Sequence, residues 1–262
     1  MFSDAPRCIY SNNQLADVIC QFRFPEILSL AANLPAEFQD LIRDTYPKFA
    51  SQLDPSAPKL SGQPGNFKIE NQPSTINYQF SSEDSCWRIN LTSRFISLSC
   101  NKYSCWEDFA KRLDKLLAAF IRIYKPAYFE RVGLRYINFI SKNALSLEDT
   151  SFSELFQPQY LGILGDDEIS EQQTKRSGVD AEFSIRGGCM ARIHAGPGIT
   201  KRNGLPDNEV KFVFDQDLSM PGNVPVSYSA GALETLHSQA YAIFRGAITD
   251  TLHKAMEPKE IV

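Results

Sequence analysis

Between Ser104 and Pro126 the apolar residues Trp106, Phe109, Leu113, Leu116, Leu117, Phe120 and Ile123 recur at helical spacing, and Lys111, Arg112, Asp114 and Lys115 fall on the other side. SCWE (104–107) has the spacing of a capping box, and Pro126 stops the pattern, so the spacing predicts a helix over 104–125. A stripe this wide must be covered. The polar side carries both signs of charge, which favours a sheet or core as the cover over a membrane surface.

Strands to cover it lie just upstream. In TINYQF (75–80) Ile76, Tyr78 and Phe80 alternate with Asn77 and Gln79. In CWRINLT (86–92) Trp87, Ile89 and Leu91 alternate with Arg88, Asn90 and Thr92, and RFISLSC (94–100) follows. Period two puts one side of each strand on a core and leaves the other polar. Earlier, 17–24 reads as a strand closed by Pro25, and 35–46 reads as a helix with Phe38, Leu41, Ile42 and Tyr46 on one side. The Ser/Pro/Gly-rich stretch 49–65 reads as a loop.

After Pro126 the order starts again. FERVGLRYINFI (129–140) is a strand, 152–156 a helical turn, and GDDEISEQQTKRSG (165–178) a polar loop. Strands follow at EFSIR (182–186), CMARIHA (189–195) and EVKFVFD (209–215). The final helix runs from about 230 to 256, with Leu233, Leu236, Ala240, Phe244, Ala247, Ile248 and Leu252 as its stripe. The expected fold is α+β. It is a mostly antiparallel, curved sheet from two similar β-α-βββ-α halves, 1–126 and 127–262, with the long helices packed on one face. The element order resembles the tandem, saddle-shaped folds of the TATA-binding-protein type.

A chain with 43% hydrophobic and 22% charged residues is a globular protein and not a disordered one. Its formal net charge of −4 argues against coating nucleic acid through bulk charge, although a local basic face stays possible. No basic segment followed by an apolar one opens the sequence, and no apolar run reaches the roughly 18–20 residues that span a bilayer. The six cysteines form no CxxC pair and read as buried free thiols, so a cytoplasmic protein without membrane partner or cofactor is expected.

VICQFRFP (18–25), PAEFQDLIRDTYP (35–47), NKYSCWEDFAKRL (101–113), RVGLRYINFI (131–140), FVFDQDL (212–218) and LETLHSQAYAIFRGAIT (233–249) together cover most of the chain. In this combination the chain resembles a sporadically distributed family of uncharacterised bacterial proteins of about this length. The YxxWExF and RxGLRYxN stretches are the most specific parts of the likeness. The resemblance implies a bacterial intracellular protein and carries no catalytic residues across.

HExxH, GxxxxGK[ST] and GxSxG are absent from the sequence, which removes the usual zincin, P-loop and hydrolase-elbow starting points. Asp215-Gln-Asp217 resembles a two-carboxylate cation motif, and solvent-pointing acids at a strand end are the plainer reading. His194, His237 and His253 lie far apart in sequence, with His237 on the edge of the last helix's stripe. GPGITKRNG (196–204) brings Lys201 and Arg202 into a glycine-rich turn that could cradle a phosphate, or that exists for turn chemistry alone.

Arg131 and Arg135 share parity on one strand and should project from one side about 13 Å apart, at roughly 3.3 Å per residue. Val132, Leu134, Tyr136 and Asn138 take the other side. Arg88, Arg186, Arg192 and Lys211 are expected to join them, with Arg23 and Arg94 nearby and Asn77, Gln79, Asn90 and Thr92 as hydrogen-bonding neighbours. Such a face suits an anionic partner, a nucleic acid or acidic peptide, or a protein, unless the cations pair internally with Asp and Glu. Two function classes follow. One is a non-catalytic binding module on that face; the other is a metal-dependent enzyme centred on Asp215 and Asp217.

Overall fold

The computed structural model describes residues 2–54, 59–63, 66–70, 75–174, 176–202 and 205–260. The chain opens with strands β1 (Cys8–Tyr10) and β2 (Leu15–Arg23) and two short helices, α1 (Leu28–Ala32) and α2 (Ala36–Ile42). Strand β3 (Lys48–Asp54) comes next, then a hairpin of β4 (Lys59–Gln63) and β5 (Asn66–Glu70). Three more strands, β6 (Thr75–Ser81), β7 (Trp87–Leu91) and β8 (Phe95–Cys100), lead into α3 (Trp106–Tyr124). Beyond it lie β9 (Phe129–Ile140), the single turn α4 (Phe152–Leu155), and the strands β10 (Val179–Ile185), β11 (Cys189–Arg202) and β12 (Leu205–Val224). Helices α5 (Ser229–Ala247) and α6 (Asp250–Ala255) and strand β13 (Pro258–Glu260) complete the chain.

Nine strands form one antiparallel sheet in the order β10-β11-β12-β9-β2-β8-β7-β6-β3, so the fold is α+β. Strands β2 and β9 lie side by side at its centre. Directly opposed residues share a face, so the core can be followed across the strands. One row reads Trp87, Cys100, Val18, Tyr136, Gln216, Ile193, and the next reads Phe80, Ile89, Leu98, Cys20, Leu134, Leu218, Ala191; every one of these is buried.

The helices lie on that face. Phe109 of α3 packs on Trp87 with ring centroids 5.6 Å apart, Phe120 on Phe24 at 4.9 Å, and Phe244 of α5 on Phe214 at 5.7 Å. Phe38 of α2 meets Phe80 at 5.7 Å, and Phe156 after α4 stacks on Phe212 at 4.0 Å. Each fully buried phenylalanine removes enough apolar surface from water to contribute about 1.5–3 kcal/mol.

Some expectations need correction. Within 49–65, residues 49–54 and 59–63 are strand and not loop, and the remainder lies outside the described residues. Lys48–Asp54 pairs with β6 from Lys48↔Ser81 to Asp54↔Thr75, and it forms the sheet edge through backbone bonds that its weak apolar pattern does not announce. Between β2 and α3 the sheet thus gains four strands, against three between β9 and α5. Residues 196–202 are not a turn either: β11 runs to Arg202, and β12 starts at Leu205. The side chains of Lys201 and Arg202, and residues 203–204, lie outside the described residues.

The last helix is broken. Ile248 is extended and bridges Phe156, the Thr249 N–H donates to the Leu155 carbonyl at 2.9 Å, and the Thr249 hydroxyl caps α6 by accepting from Leu252 N–H. Apolar periodicity runs across the break because Ile248 and Leu252 are both buried, so the Thr-Asp cap was the informative signal. At α3 the N-cap is Cys105, and the expected Ser104/Glu107 box does not form, because the Glu107 carboxylate accepts from Arg7.

Candidate functional site

The other face of the sheet carries polar rows. Across the strands one row reads Arg88, Ser99, Ile19, Arg135, Asp217, Arg192, Glu182, the last four alternating in charge. A second row reads Gln79, Asn90, Ser97, Gln21, Gly133, Ser219, all amides, hydroxyls or glycine. A third places Ile137, Asp215, His194 and Asp180 together. Opposed charges on one face contribute roughly 0.2–1 kcal/mol per pair.

Arg131 and Arg135 do project to this side, and neither is a free cation. Arg135 forms a two-pronged pair with Asp215, Nε to Oδ1 at 2.8 Å and Nη2 to Oδ2 at 2.5 Å. Arg131 Nη2 donates to Asp217 Oδ1 at 2.7 Å. The two acids of the DxD motif are therefore the partners of the two arginines. Among the described residues no group of three or more His, Cys, Asp or Glu side chains is placed to hold a metal ion.

Gly133 makes the second pair possible. Arg131 stands opposite Arg23 on β2, a like-charge neighbour, and folds along its own strand over Gly133 to reach Asp217. A Cβ at Gly133 would sit 2.2 Å from Arg131 Nη1, so any side chain there must displace the guanidinium. Gly133→Ala is expected to cost about 1 kcal/mol or less, as a partly exposed ion pair would, and to cost nothing further in an Asp217→Ala background. Chemical denaturation of the two single variants and the double variant measures this coupling; additive effects would contradict it.

The remaining candidates separate. Arg192 and Arg88 are exposed on the polar face and make no ion pair among the described residues, Arg192 lying between Asp217 and Glu182 on its neighbouring strands. Lys211 is held by Asp207 at 2.5 Å, with Glu209 at 4.0 Å. Arg186 does not join the polar face: it falls in the turn after β10 and lines a groove between α3 and α5 on the helical side. Arg94 pairs with Glu26 at 2.8 Å. Asp17 went unnoticed in the sequence. Burial pushes its carboxyl above the ordinary range against the pull of Arg88 and Arg135, and its Oδ1 has no hydrogen-bond partner among the described residues.

His194 and Asp180 meet at 2.9 Å and, with Arg135, Arg192, Asp215 and Asp217, line a shallow polar hollow of about 300 Å³. His253 meets the Tyr10 hydroxyl at 2.8 Å. His237 is buried on the inner side of α5, stacked on Trp106 with centroids 4.3 Å apart and planes 7° from parallel. Arg7 Nη1 lies 3.0 Å from its Nε2, and Tyr136 Oη lies 2.8 Å from its Nδ1. Arginine can only donate, so Nε2 accepts and Nδ1 carries the proton. Burial, aided by the Arg7 charge, lowers His237 to about 4 and keeps it neutral.

All six cysteines are free, and no described helix is long and apolar enough to cross a membrane. No protein-family model matches the chain, and no curated protein matches it.

Proposed function

We propose that the chain is a non-catalytic binding module whose helix-free sheet face docks a protein partner. The observation that carries this reading is the alternating row Arg135, Asp217, Arg192, Glu182, beside unpaired Arg88 and half-buried Ile19, Ile137 and Phe139. A phosphate-binding face would concentrate free cations. Here Asp215 and Asp217 neutralise two of them, which suits a surface of mixed charge and some apolar area. The strand order further supports an internal duplication with a curved, saddle-like sheet: outward from the β2/β9 centre, each side runs first to the last strand of its own part, β8 or β12, and then to the strand before it. The free thiols and the family resemblance support a cytoplasmic bacterial setting.

A photo-crosslinking residue at Ser99 tests the reading in extracts of the source cells. One defined protein adduct, lost when Arg88 and Arg192 are both changed to glutamate, is the expected result. Binding to DNA or RNA that weakens steeply between about 50 and 200 mM salt would replace the protein partner with a phosphate ligand. The metal-dependent alternative has both of its carboxylates engaged by guanidinium groups. Stoichiometric Mn²⁺ or Mg²⁺ binding in calorimetry, abolished by Asp215→Ala with Asp217→Ala, would establish it in place of the binding module.

A further inference from the structure

On the helical side, away from the docking face, a cavity of about 100 Å³ lies beneath the N-terminal segment. Its walls include Tyr10, Trp106 and Phe244, and its floor is formed by Tyr136 and Gln216, which oppose each other on β9 and β12. Gln216 is 3% exposed, and its Oε1 has no hydrogen-bond partner among the described residues. A buried amide oxygen without a donor is costly, and it persists where something outside the protein supplies the hydrogen.

A second group points the same way. Because Arg7 donates to His237 and His237 donates to the Tyr136 oxygen, the Tyr136 hydroxyl has its own hydrogen to give, and its ring meets that of Tyr103 edge-on with centroids 6.0 Å apart. Tyr103, half-buried, also lines the cavity, and its hydroxyl makes no hydrogen bond to another described residue. The cavity thus offers an acceptor, Gln216 Oε1, and a donor, the Tyr103 hydroxyl. Charge is unwelcome there: burial raises Tyr103 and Tyr136 above the ordinary tyrosine value and keeps His237 neutral. Arg7, the one cation on the wall, is occupied by Glu107 and His237.

We propose that this cavity binds a neutral molecule no larger than a single ring that carries an N–H or O–H donor beside an acceptor, as a cyclic amide does. The donor meets Gln216 Oε1, the acceptor takes the Tyr103 hydroxyl, and the aromatic walls enclose the ring. Entry is from the groove of about 980 Å³ between α3 and α5, because Arg7, Trp106 and His237 line both spaces. Water is the competing occupant, since the volume would hold about three molecules at roughly 30 Å³ each.

Ligand-observed NMR on the full chain with 2-pyridone, and benzene as the apolar control, tests the assignment. Binding of 2-pyridone to the wild type is expected, weakened about tenfold in Gln216→Leu and with benzene binding unchanged. Gln216→Leu replaces an unsatisfied polar group by an apolar one of similar size, so the melting temperature should not fall. Ala240→Leu, which fills the cavity from α5, should abolish binding of both probes. If Gln216→Leu fails to fold, a crystal structure of the wild type with 2-pyridone decides: its N–H must lie about 2.9 Å from Gln216 Oε1. No binding of 2-pyridone to folded wild type, equal binding to Gln216→Leu, or a cavity filled by ordered water in the presence of the probe overturns the proposal.

Discussion

Truncating Phe109 to alanine should destabilise the fold by about 3–5 kcal/mol, the range for a buried aromatic that leaves a cavity behind. Phe109 is fully buried, and its ring meets Trp87 at 5.6 Å, Tyr103 at 6.1 Å and Trp106 at 6.1 Å. Neighbours this rigid cannot close over the gap. Trp87 is fixed in β7 with the Arg112 guanidinium 4.6 Å above its ring, and Trp106 Nε1 donates to Glu234 Oε1 at 2.7 Å. A fall in melting temperature on the order of 10 °C is expected. An unchanged melting temperature would contradict the packing of α3 on the sheet.

Lowering the pH should destabilise the protein through His237. The free side chain titrates near 6.5, and the buried one near 4. Above about pH 6.5 both states leave the ring neutral and it contributes no pH dependence. Between there and about 4 the unfolded chain takes a proton that the folded chain refuses, so stability falls as pH falls, by about 3 kcal/mol once the lower value is passed. Protonation would place a second donor at Nε2 facing Arg7, which has only donors to offer. His237→Gln keeps one acceptor and one donor without titrating. The difference between wild type and variant in urea-unfolding free energy should therefore slope over that window and be flat above it; parallel curves would rule out His237 as the cause.

Single-strand and single-helix patterns were legible in the sequence. Val132, Leu134, Tyr136 and Asn138 are buried on one side of β9 while Arg131 and Arg135 reach the other, as parity requires, and Trp106, Phe109, Leu113, Leu116, Leu117 and Phe120 are all buried on α3. What a lone sequence lacks is register between strands. From the sequence alone Arg131 and Arg135 could face an anionic partner or pair internally with acids, and Asp215 and Asp217 could hold a cation or point into solvent; they are the two halves of the same ion pairs, brought together only when β9 meets β12. The same blindness hid β3, whose pairing depends on β6, and the cluster of Arg7, Tyr136 and His237, whose members come from three distant segments.

The central position of β2 and β9 also bears on the route by which the chain reaches this structure. Strands β6, β7 and β8 are sequence neighbours that can zip as a meander, and so are β10, β11 and β12. The β2/β9 contact instead joins segments separated by every element from α1 to α3 and must close that whole loop before any of its hydrogen bonds form. The middle of the finished sheet is then the last part to assemble. Weakening this seam would leave the folding rate nearly unchanged and hasten unfolding, so the lifetime of the native state rests on the pairing of Val18 through Arg23 with Tyr136 through Arg131.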